Sequence, residues 1–297
     1  MMGGMQAALD AVIDLLDLEP IEVNIFRGLS PEEDRQRTFG GQVAGQALVA
    51  AARTVEDVAV HSLHSYFLRP GDPAAPILYE VDRIRDGRSF TTRRVVAIQH
   101  GRPIFNLAAS FQRHEDGLDH PATRPDVPEP ESPPTITEQL KDYPGIDQAW
   151  LDRPRSIDMR YVSGAPLART EEDAAMQQQF VWMRANGVLP DDQLLHTCLL
   201  TYASDMTLLD TSLVPHGISS MSGKIMMASL DHAMWFHRPF RADAWLLYAQ
   251  DTPSASGARG LARGLGFQHD GTLVASVRLD GLLRRLTKCP TAEREQG

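Results

Sequence analysis

The sequence predicts an α+β fold made of two tandem copies of one unit, each a long helix followed by antiparallel strands. The main observation is an internal repeat: shifting residues 66–105 by 169 positions places them without gaps on residues 235–274. Ten of these forty pairs are identical, whereas average composition gives roughly two or three by chance. A second observation is that both copies show the same order of helix-like and strand-like patterns. We therefore predict a duplication.

Each copy begins with a predicted helix, at 40–53 in the first and 191–210 in the second, where apolar residues recur at helical spacing. Four strand-like runs follow in each, separated by Gly, Pro and Asp turn signals. They are 62–69, 77–85, 89–99 and 103–112, then 232–238, 244–252, 258–268 and 272–283. Such a sheet buries one face against its helix. A further amphipathic helix is predicted near the N-terminus, with Leu9, Val12, Ile13 and Leu16 on one stripe.

A proline-rich joint separates the copies. Six prolines stand within residues 121–134, and this density disfavours both helix and central strand, so we expect an extended linker. The predicted division is an N-terminal unit over 1–118, a linker over 119–150 and a C-terminal unit over 151–297.

Composition excludes several classes of function. The 297 residues carry a net charge of −10, which argues against general nucleic-acid binding. The two cysteines, Cys198 and Cys289, have no metal-ligand spacing, so we expect neither a disulfide scaffold nor a structural zinc, and a reducing cytoplasm fits. No apolar run approaches the ~20 residues of a membrane span. The acids near the N-terminus do not fit a signal peptide.

One carboxylate interrupts an apolar stripe in the second predicted helix. That stripe contains Leu195, Cys198, Tyr202 and Leu209, and Asp205 stands on it in helical register. An unpaired charge buried there costs several kcal/mol by rough figures. Two interpretations stay open: a structural aspartate bonded to backbone or to an arginine, or a functional group. The helix of the first copy has no aspartate on its stripe, and packing alone does not require this difference.

Two other features allow both a structural and a functional interpretation. Ser229 precedes the run DHAMWFHRP, where a serine can simply begin a strand or can face a site. The segment DRIRDGRSFTTRR carries five arginines within thirteen residues: Arg83, Arg85, Arg88, Arg93 and Arg94. They form either a solvated face or a clamp for phosphates, which planar guanidinium groups suit.

Several long motifs, in order, resemble the acyl-CoA thioesterase II family. They are FGGQVAGQALVAA, HSYFLRPGD, DRIRDGRSFTTRRV, DHAMWFHRPF and SASGARG. The resemblance implies a double hotdog, in which each half wraps a curved antiparallel sheet around a long central helix and the two sheets join. It also implies hydrolysis of fatty acyl-CoA to free acid and coenzyme A without metal, cofactor or covalent intermediate. A homodimer or homotetramer is expected.

The resemblance assigns site residues by position. The family's water-binding Asp falls on Asp205 and its Thr or Ser on Ser229, while its Gln position is occupied by Leu279. Backbone amides at the start of the first central helix, around 40–42 and with Gly41 and Gln42 as the named residues, are expected to polarise the thioester carbonyl. The arginines Arg88, Arg93 and Arg94 are expected to hold the phosphates of coenzyme A.

Two functional hypotheses follow. In the first, Asp205 acts as general base and Ser229 orients the attacking water, so the chain is a hydrolase whose rate is reduced by Leu279. In the second, the loss of the glutamine leaves a protein of the same fold that binds acyl-CoA with little or no turnover.

Overall fold

The computed structural model describes residues 2–31, 36–143, 145–166 and 177–286. Cys289 and the end of the predicted C-terminal unit, 287–297, lie outside the described residues. The helices are α1 (Met2–Leu16), α2 (Gly40–Ala52), α3 (Ile136–Leu140), α4 (Gln148–Asp152), α5 (Gln193–Ser204) and α6 (Leu208–Thr211). The strands are β1 (Glu19–Glu22), β2 (Ile25–Gly28), β3 (Ala59–Phe67), β4 (Ile77–Asp86), β5 (Phe90–Gln99), β6 (Arg102–Gln112), β7 (Ile157–Tyr161), β8 (Gln178–Ala185), β9 (Ile225–Ser229), β10 (Asp231–Phe236), β11 (Leu246–Ser256), β12 (Arg259–Gln268) and β13 (Leu273–Arg285).

The strands form one antiparallel sheet that joins the two halves. Its order is β1-β2-β4-β5-β6-β3-β10-β13-β12-β11-β8-β7, and β9 also pairs with β13. The halves meet where β3 pairs with β10, with Ala233 opposite His64. Helix α2 packs against the strands of the first half and against α5, and its residues 41–51 are all buried. Two central helices enclosed by one joined sheet confirm the predicted double hotdog.

Contacts repeated in both halves confirm the duplication. Asp82 of β4 pairs with Arg94 of β5, and the residues 169 positions later, Asp251 and Arg263, form the same ion pair between β11 and β12. The repeat therefore preserves cross-strand pairs. The structural repeat also includes strands that the periodicity missed, since β1–β2 beside β4 and β7–β8 beside β11 occupy matching positions at the two ends of the sheet. Strand β9, also missed, lies off this path.

The proline-rich segment is only partly as predicted. Residues 113–129 form no helix or strand, but they pack on the second half: Trp182 Nε1 donates to Pro128 O at 2.9 Å, and the guanidinium of Arg124 lies over the Trp182 ring. The proline-dense stretch 121–134 forms no helix or strand, as predicted. The rest of the predicted linker is not all extended, because α3 forms beyond the last proline, where Thr135 and Glu138 make a reciprocal capping box.

The N-terminal helix behaves as its apolar stripe predicts. Leu9, Val12 and Leu16 are buried in the main core, and the Gln6 side chain accepts a hydrogen bond from Val188 N at 2.8 Å. Helix α1 thus contacts the second half of the chain as well as the first. Within the described ranges, no helix has the length and apolar character that crossing a bilayer requires.

Candidate active site

A cavity of about 520 Å³ lies between the two halves and has Asp205 and Ser229 in its wall. The first half contributes the entry to α2 and the end of β3, and the second half contributes the end of α5 and strand β9. Its apolar lining includes Phe39, Val43, Phe67, Ile104, Phe105, Met206, Leu209 and Met227. Both predicted polar residues therefore face a single space with predominantly apolar walls.

Asp205 lies at the end of helix α5 and not in the middle of a longer helix. The single predicted helix over 191–210 is wrong, because α5 ends at Ser204, Asp205 is its C-cap, and α6 begins only at Leu208. The chain turns here toward strands that carry glycine on their inner face. A Cβ on Gly281 would lie 2.3 Å from Leu209 Cδ1, and a Cβ on Gly260 would lie 2.7 Å from Ser212 Cβ. These missing side chains give α6 the space to pack against the sheet.

The carboxylate of Asp205 is held by one residue from each half. Ser229 Oγ donates to Asp205 Oδ1 at 3.0 Å, and the backbone N–H of Gly41 donates to the same carboxylate. Helix α2 has no side-chain cap of its own, since its N-cap residue is Phe39. Asp205 therefore satisfies one of the unpaired amides at the start of α2 from a different helix.

Glycine is required at both positions where α2 approaches Asp205. A Cβ on Gly40 would lie 2.6 Å from Asp205 Oδ2, and a Cβ on Gly41 would lie 2.2 Å from the backbone oxygen of Tyr202. The pair of glycines in the FGGQ motif thus permits contact between the first turn of α2 and the last turn of α5. Without that contact the Gly41 amide could not reach the carboxylate.

Burial raises the pKa of Asp205 from 3.8 to about 6, while the bonds from Ser229 and Gly41 and the charge of Arg37 act in the opposite direction. The carboxyl group consequently changes its protonation state close to neutral pH. Among the residues described, no arginine or lysine forms an ion pair with Asp205 within 4 Å. The arginine-paired form of the structural interpretation therefore loses its support, whereas its backbone-bonded form stands in the contact with Gly41. A half-buried carboxylate beside a cavity can also accept a proton, so the functional interpretation stands beside it.

The corresponding end of α2 carries different chemistry. Its C-cap is Arg53, whose guanidinium bonds Leu18 O and the carboxylate of Asp17. The residue 169 positions before Ser229 is Val60. The two helix ends are thus related by the duplication, but only the one with Asp205 has a carboxylate and a hydroxyl group together.

Leu279 and Gln42 are not in the cavity wall. Leu279 is fully buried in the main apolar core on β13, where it pairs with Ala262 of β12. Gln42 is buried too, and its Nε2 donates to Leu29 O and Ser30 Oγ, both at 3.1 Å. The side-chain amide of Gln42 thus anchors α2 to the preceding loop, and the expected role of its backbone amide toward substrate stays a prediction. The family position at Leu279 is occupied by a core residue.

The arginine cluster does not form a phosphate clamp at this cavity. Arg93 is 1% exposed, and its guanidinium bonds Thr54 Oγ1, backbone oxygens and Asp86. Arg94 is held by Asp82 in the ion pair that the second half repeats as Arg263 with Asp251. Arg88 lies in the exposed turn between β4 and β5. The arginines are close together in sequence, but successive residues of a strand face opposite sides of the sheet, so their side chains do not form one cluster.

Two arginines that the sequence analysis did not select do line the cavity. They are Arg37, three residues before α2, and Arg69, two residues after β3. Arg69 stands alone in sequence, and Arg37 ends the mixed-charge run EEDRQR at 32–37, so local composition singled out neither as a phosphate ligand. The fold of the first half brings their segments together, since Thr38 N donates to Gly71 O at 2.9 Å.

Comparisons with known proteins find matches to both halves of the chain. A family model described as "Acyl-CoA thioesterase" matches residues 157–282, and one described as "Acyl-CoA thioesterase N-terminal domain" matches residues 30–112. Acyl-coenzyme A thioesterase 8 of Homo sapiens is 42% identical over 92% of this chain and 88% of its own length.

Solved structures give the same result. The acyl-CoA thioesterase II TesB2 of Mycobacterium marinum is 46% identical, with a TM-score of 0.77 over 93% of this chain and 99% of that one. A protein with a hot dog fold from Alicyclobacillus acidocaldarius, 21% identical, aligns with a TM-score of 0.74 over 92% of this chain and 98% of that chain. The second likeness concerns the fold alone.

Proposed function

This chain belongs to the acyl-CoA thioesterase family, and from that premise we propose that it hydrolyses fatty acyl-CoA to free acid and coenzyme A at the Asp205–Ser229 site. The observation that carries the proposal is the contact of Asp205 Oδ1 with Ser229 Oγ at 3.0 Å inside an apolar-walled cavity. A thioester carbonyl is reactive enough to need only an activated and oriented water. The site offers a base and a hydroxyl group for that purpose.

In the proposed reaction, Asp205 removes a proton from a water molecule whose oxygen attacks the thioester carbonyl carbon. Ser229 holds the carboxylate and the water in line, so that the lone pair faces the carbon. The tetrahedral oxyanion then collapses, the carbon–sulfur bond breaks, and Asp205 returns the proton to the departing sulfur. A base of this kind contributes typically ~10²–10⁴ in rate.

The start of α2 supplies the stabilisation of the oxyanion in this proposal. Because the Gly41 amide is engaged by Asp205, the preceding amide of Gly40, which lines the cavity, is the proposed donor. An unpaired N–H at a helix N-terminus and the positive end of its dipole favour a developing negative charge. The expected role of Gly41 toward substrate is thereby replaced by a role in holding the base.

The test is release of free thiol from a panel of acyl-CoA esters of increasing chain length, followed with a thiol-reactive dye. We expect turnover for at least one chain length and a loss of about 10²–10⁴ in kcat for Asp205→Asn. Absence of thiol release above buffer for every ester, or an unchanged rate in Asp205→Asn, would contradict the proposal.

A second candidate function, binding of acyl-CoA with little turnover, is favoured by one observation. Position 279 is a leucine buried in the core, so the third polar group of the family site is missing there. Calorimetry separates the two functions: tight binding of acyl-CoA without thiol release would favour the binding protein. We prefer hydrolysis, because an inward carboxylate with a raised pKa is costly to retain in a protein that only binds.

A further inference from the structure

The cavity that holds Asp205 has an apolar interior and a basic rim. Val43, Phe105 and Leu209 line it and are buried, whereas Arg37 and Arg69 line it and are exposed to solvent. A space with these two ends fits an amphipathic ligand with an apolar tail and an anionic head. The two arginines stand out in a chain whose net charge is −10.

Both guanidinium groups are positioned by backbone oxygens. Arg37 Nη2 donates to Met227 O at 2.9 Å, so this side chain from the first half reaches strand β9 of the second. Arg69 Nη1 donates to Pro103 O at 2.6 Å. A guanidinium has five N–H donors, and within the described residues neither of these two has a carboxylate within 4 Å. As far as the described residues go, each guanidinium thus has donors left for another anion.

The duplication provides an internal comparison for Arg69. Its counterpart 169 positions later is Arg238, whose Nη1 donates to Leu273 O at 2.9 Å, so both are held by a backbone oxygen at the start of the last strand of their half. Arg238, however, is neutralised by Asp119 from the proline-rich segment that covers the second half. The two equivalent arginines thus differ: Arg238 is paired with a carboxylate, whereas Arg69 lies at the cavity rim.

We propose that Arg37 and Arg69 bind the phosphate groups of coenzyme A at the rim of the Asp205 cavity. This inference rests on the proposed function, because it assumes that the cavity receives an acyl thioester. Guanidinium groups match phosphate oxygens in charge and planar geometry. The apolar interior takes the acyl chain, and the pantetheine arm connects the thioester at Asp205 to the phosphates outside.

The test compares two thioesters of the same acyl group, one of coenzyme A and one of N-acetylcysteamine, which has no phosphate. We expect Arg37→Gln and Arg69→Gln each to raise KM for acyl-CoA about tenfold, and Arg69→Gln to leave kcat/KM for the N-acetylcysteamine ester unchanged. Because the charge of Arg37 lowers the pKa of Asp205, Arg37→Gln is compared at pH 8, where Asp205 is ionised in both proteins and kcat/KM for this ester should change far less than kcat/KM for acyl-CoA. The acyl ester of 3′-dephospho-coenzyme A shows whether the 3′-phosphate or the diphosphate is bound. If the arginines instead bind an acidic group on the acyl chain, the two variants should weaken the reaction with both thioesters.

Arg94→Gln is the matched control, because Arg94 is exposed and ion-paired to Asp82 outside the cavity. Its KM for acyl-CoA should equal that of the wild type. The conservative variants Arg37→Lys and Arg69→Lys retain the charge and should recover part of the loss, and thermal melts verify that every variant folds.

The proposal is overturned if both Gln variants keep the wild-type KM, if both thioesters lose activity equally, or if Arg94→Gln has the same effect. Failure of the hydrolase proposal looks different. In that case the wild-type protein releases no thiol from either ester, whereas acyl-CoA binding by calorimetry still reports on the arginines.

Discussion

Replacing Asp205 by asparagine is expected to make the protein more stable at neutral pH while it abolishes most of the activity. Burial raises the pKa of this carboxyl group from 3.8 to about 6. A tenfold change in proton affinity corresponds to about 1.4 kcal/mol, so the ionised group costs the folded state about 3 kcal/mol. Asparagine has nearly the same shape and no charge, and its Oδ1 can still accept from Ser229 or Gly41.

The sign of the pH dependence follows from the same values. Between pH 3.8 and about 6 the folded protein holds a proton on Asp205 that the unfolded chain has released, so stability falls as the pH rises through this window. We expect Asp205→Asn to raise the free energy of unfolding by about 1–3 kcal/mol at pH 7.5, with the lower end allowing for a weaker hydrogen bond to a neutral acceptor. The gain should shrink toward zero near pH 4.

The assay is denaturant unfolding followed by circular dichroism at pH 7.5 and pH 4.5, together with thiol release from acyl-CoA. Asp82→Asn serves as control, because this exposed partner of Arg94 forms a surface ion pair worth about 0–1 kcal/mol. If Asp205→Asn lowers the free energy of unfolding at pH 7.5 by 1 kcal/mol or more, the ionised carboxylate stabilises the fold. The argument that its burial costs stability then fails.

Four further predictions concern the same site. The kcat/KM for acyl-CoA should rise with pH and level off above an apparent pKa of about 6, since Asp205 must be ionised to act as base; a flat profile from pH 5 to pH 8 would contradict this. Ser229→Ala should lower kcat about tenfold or more and Ser229→Thr should restore it, because only the hydroxyl bonds Asp205; equal rates for the two variants would refute the role of the hydroxyl. Gly41→Ala should destabilise the fold by about 1–3 kcal/mol and reduce kcat, because its Cβ would lie 2.2 Å from Tyr202 O; an unchanged melting temperature would contradict the requirement for glycine. Leu279→Gln should lower stability by about 1–3 kcal/mol, because an amide enters the core. A gain of tenfold or more in the rate of thiol release would identify the wild type as a weakened hydrolase, and no thiol release from either protein would favour the binding function.

Periodicity predicted the repeating strands because their signal is local. Alternating side chains and turn residues lie within ten or so positions of each other, and each copy gave the same four strands with ends shifted by a few residues. The end of α5 at Ser204 is different. Its cause includes Gly260 and Gly281, whose missing side chains make space for α6 from more than fifty residues further along the chain. No window along the sequence contains both the helix and the strands that end it.

The arginines show the same limit for charge. Arg93 and Arg94 are neighbours in sequence, yet one is buried against Thr54 and the other pairs with Asp82 at the surface, because successive strand residues face opposite sides of the sheet. Arg37 and Arg69 are thirty-two positions apart in sequence, and both line the same cavity. A cluster in sequence is thus no guide to which arginines share a cavity.

The antiparallel contact of the two central helices explains why the duplication yields one site and not two. Each helix end that meets the start of its partner is a place where a carboxylate could serve that partner's free amides. At the start of α5 this need is met by its own N-cap, Asp192, which accepts from Leu194 N and Leu195 N, and the neighbouring end of α2 carries Arg53. At the start of α2 the N-cap is Phe39, and the amide of Gly41 is met by Asp205.

The consequence is electrostatic. A negative charge at the C-terminal end of α5 is disfavoured by that helix and favoured by the N-terminal end of α2, so Asp205 depends on both halves staying in contact. Arg53 at the C-terminal end of α2 has the favourable sign already and binds Asp17 and Leu18 O. The helix end that carries the proposed base is therefore electrostatically the less favourable of the two. A base with a pKa near neutrality arises where one half of the chain fails to cap its own helix and takes the cap from the other.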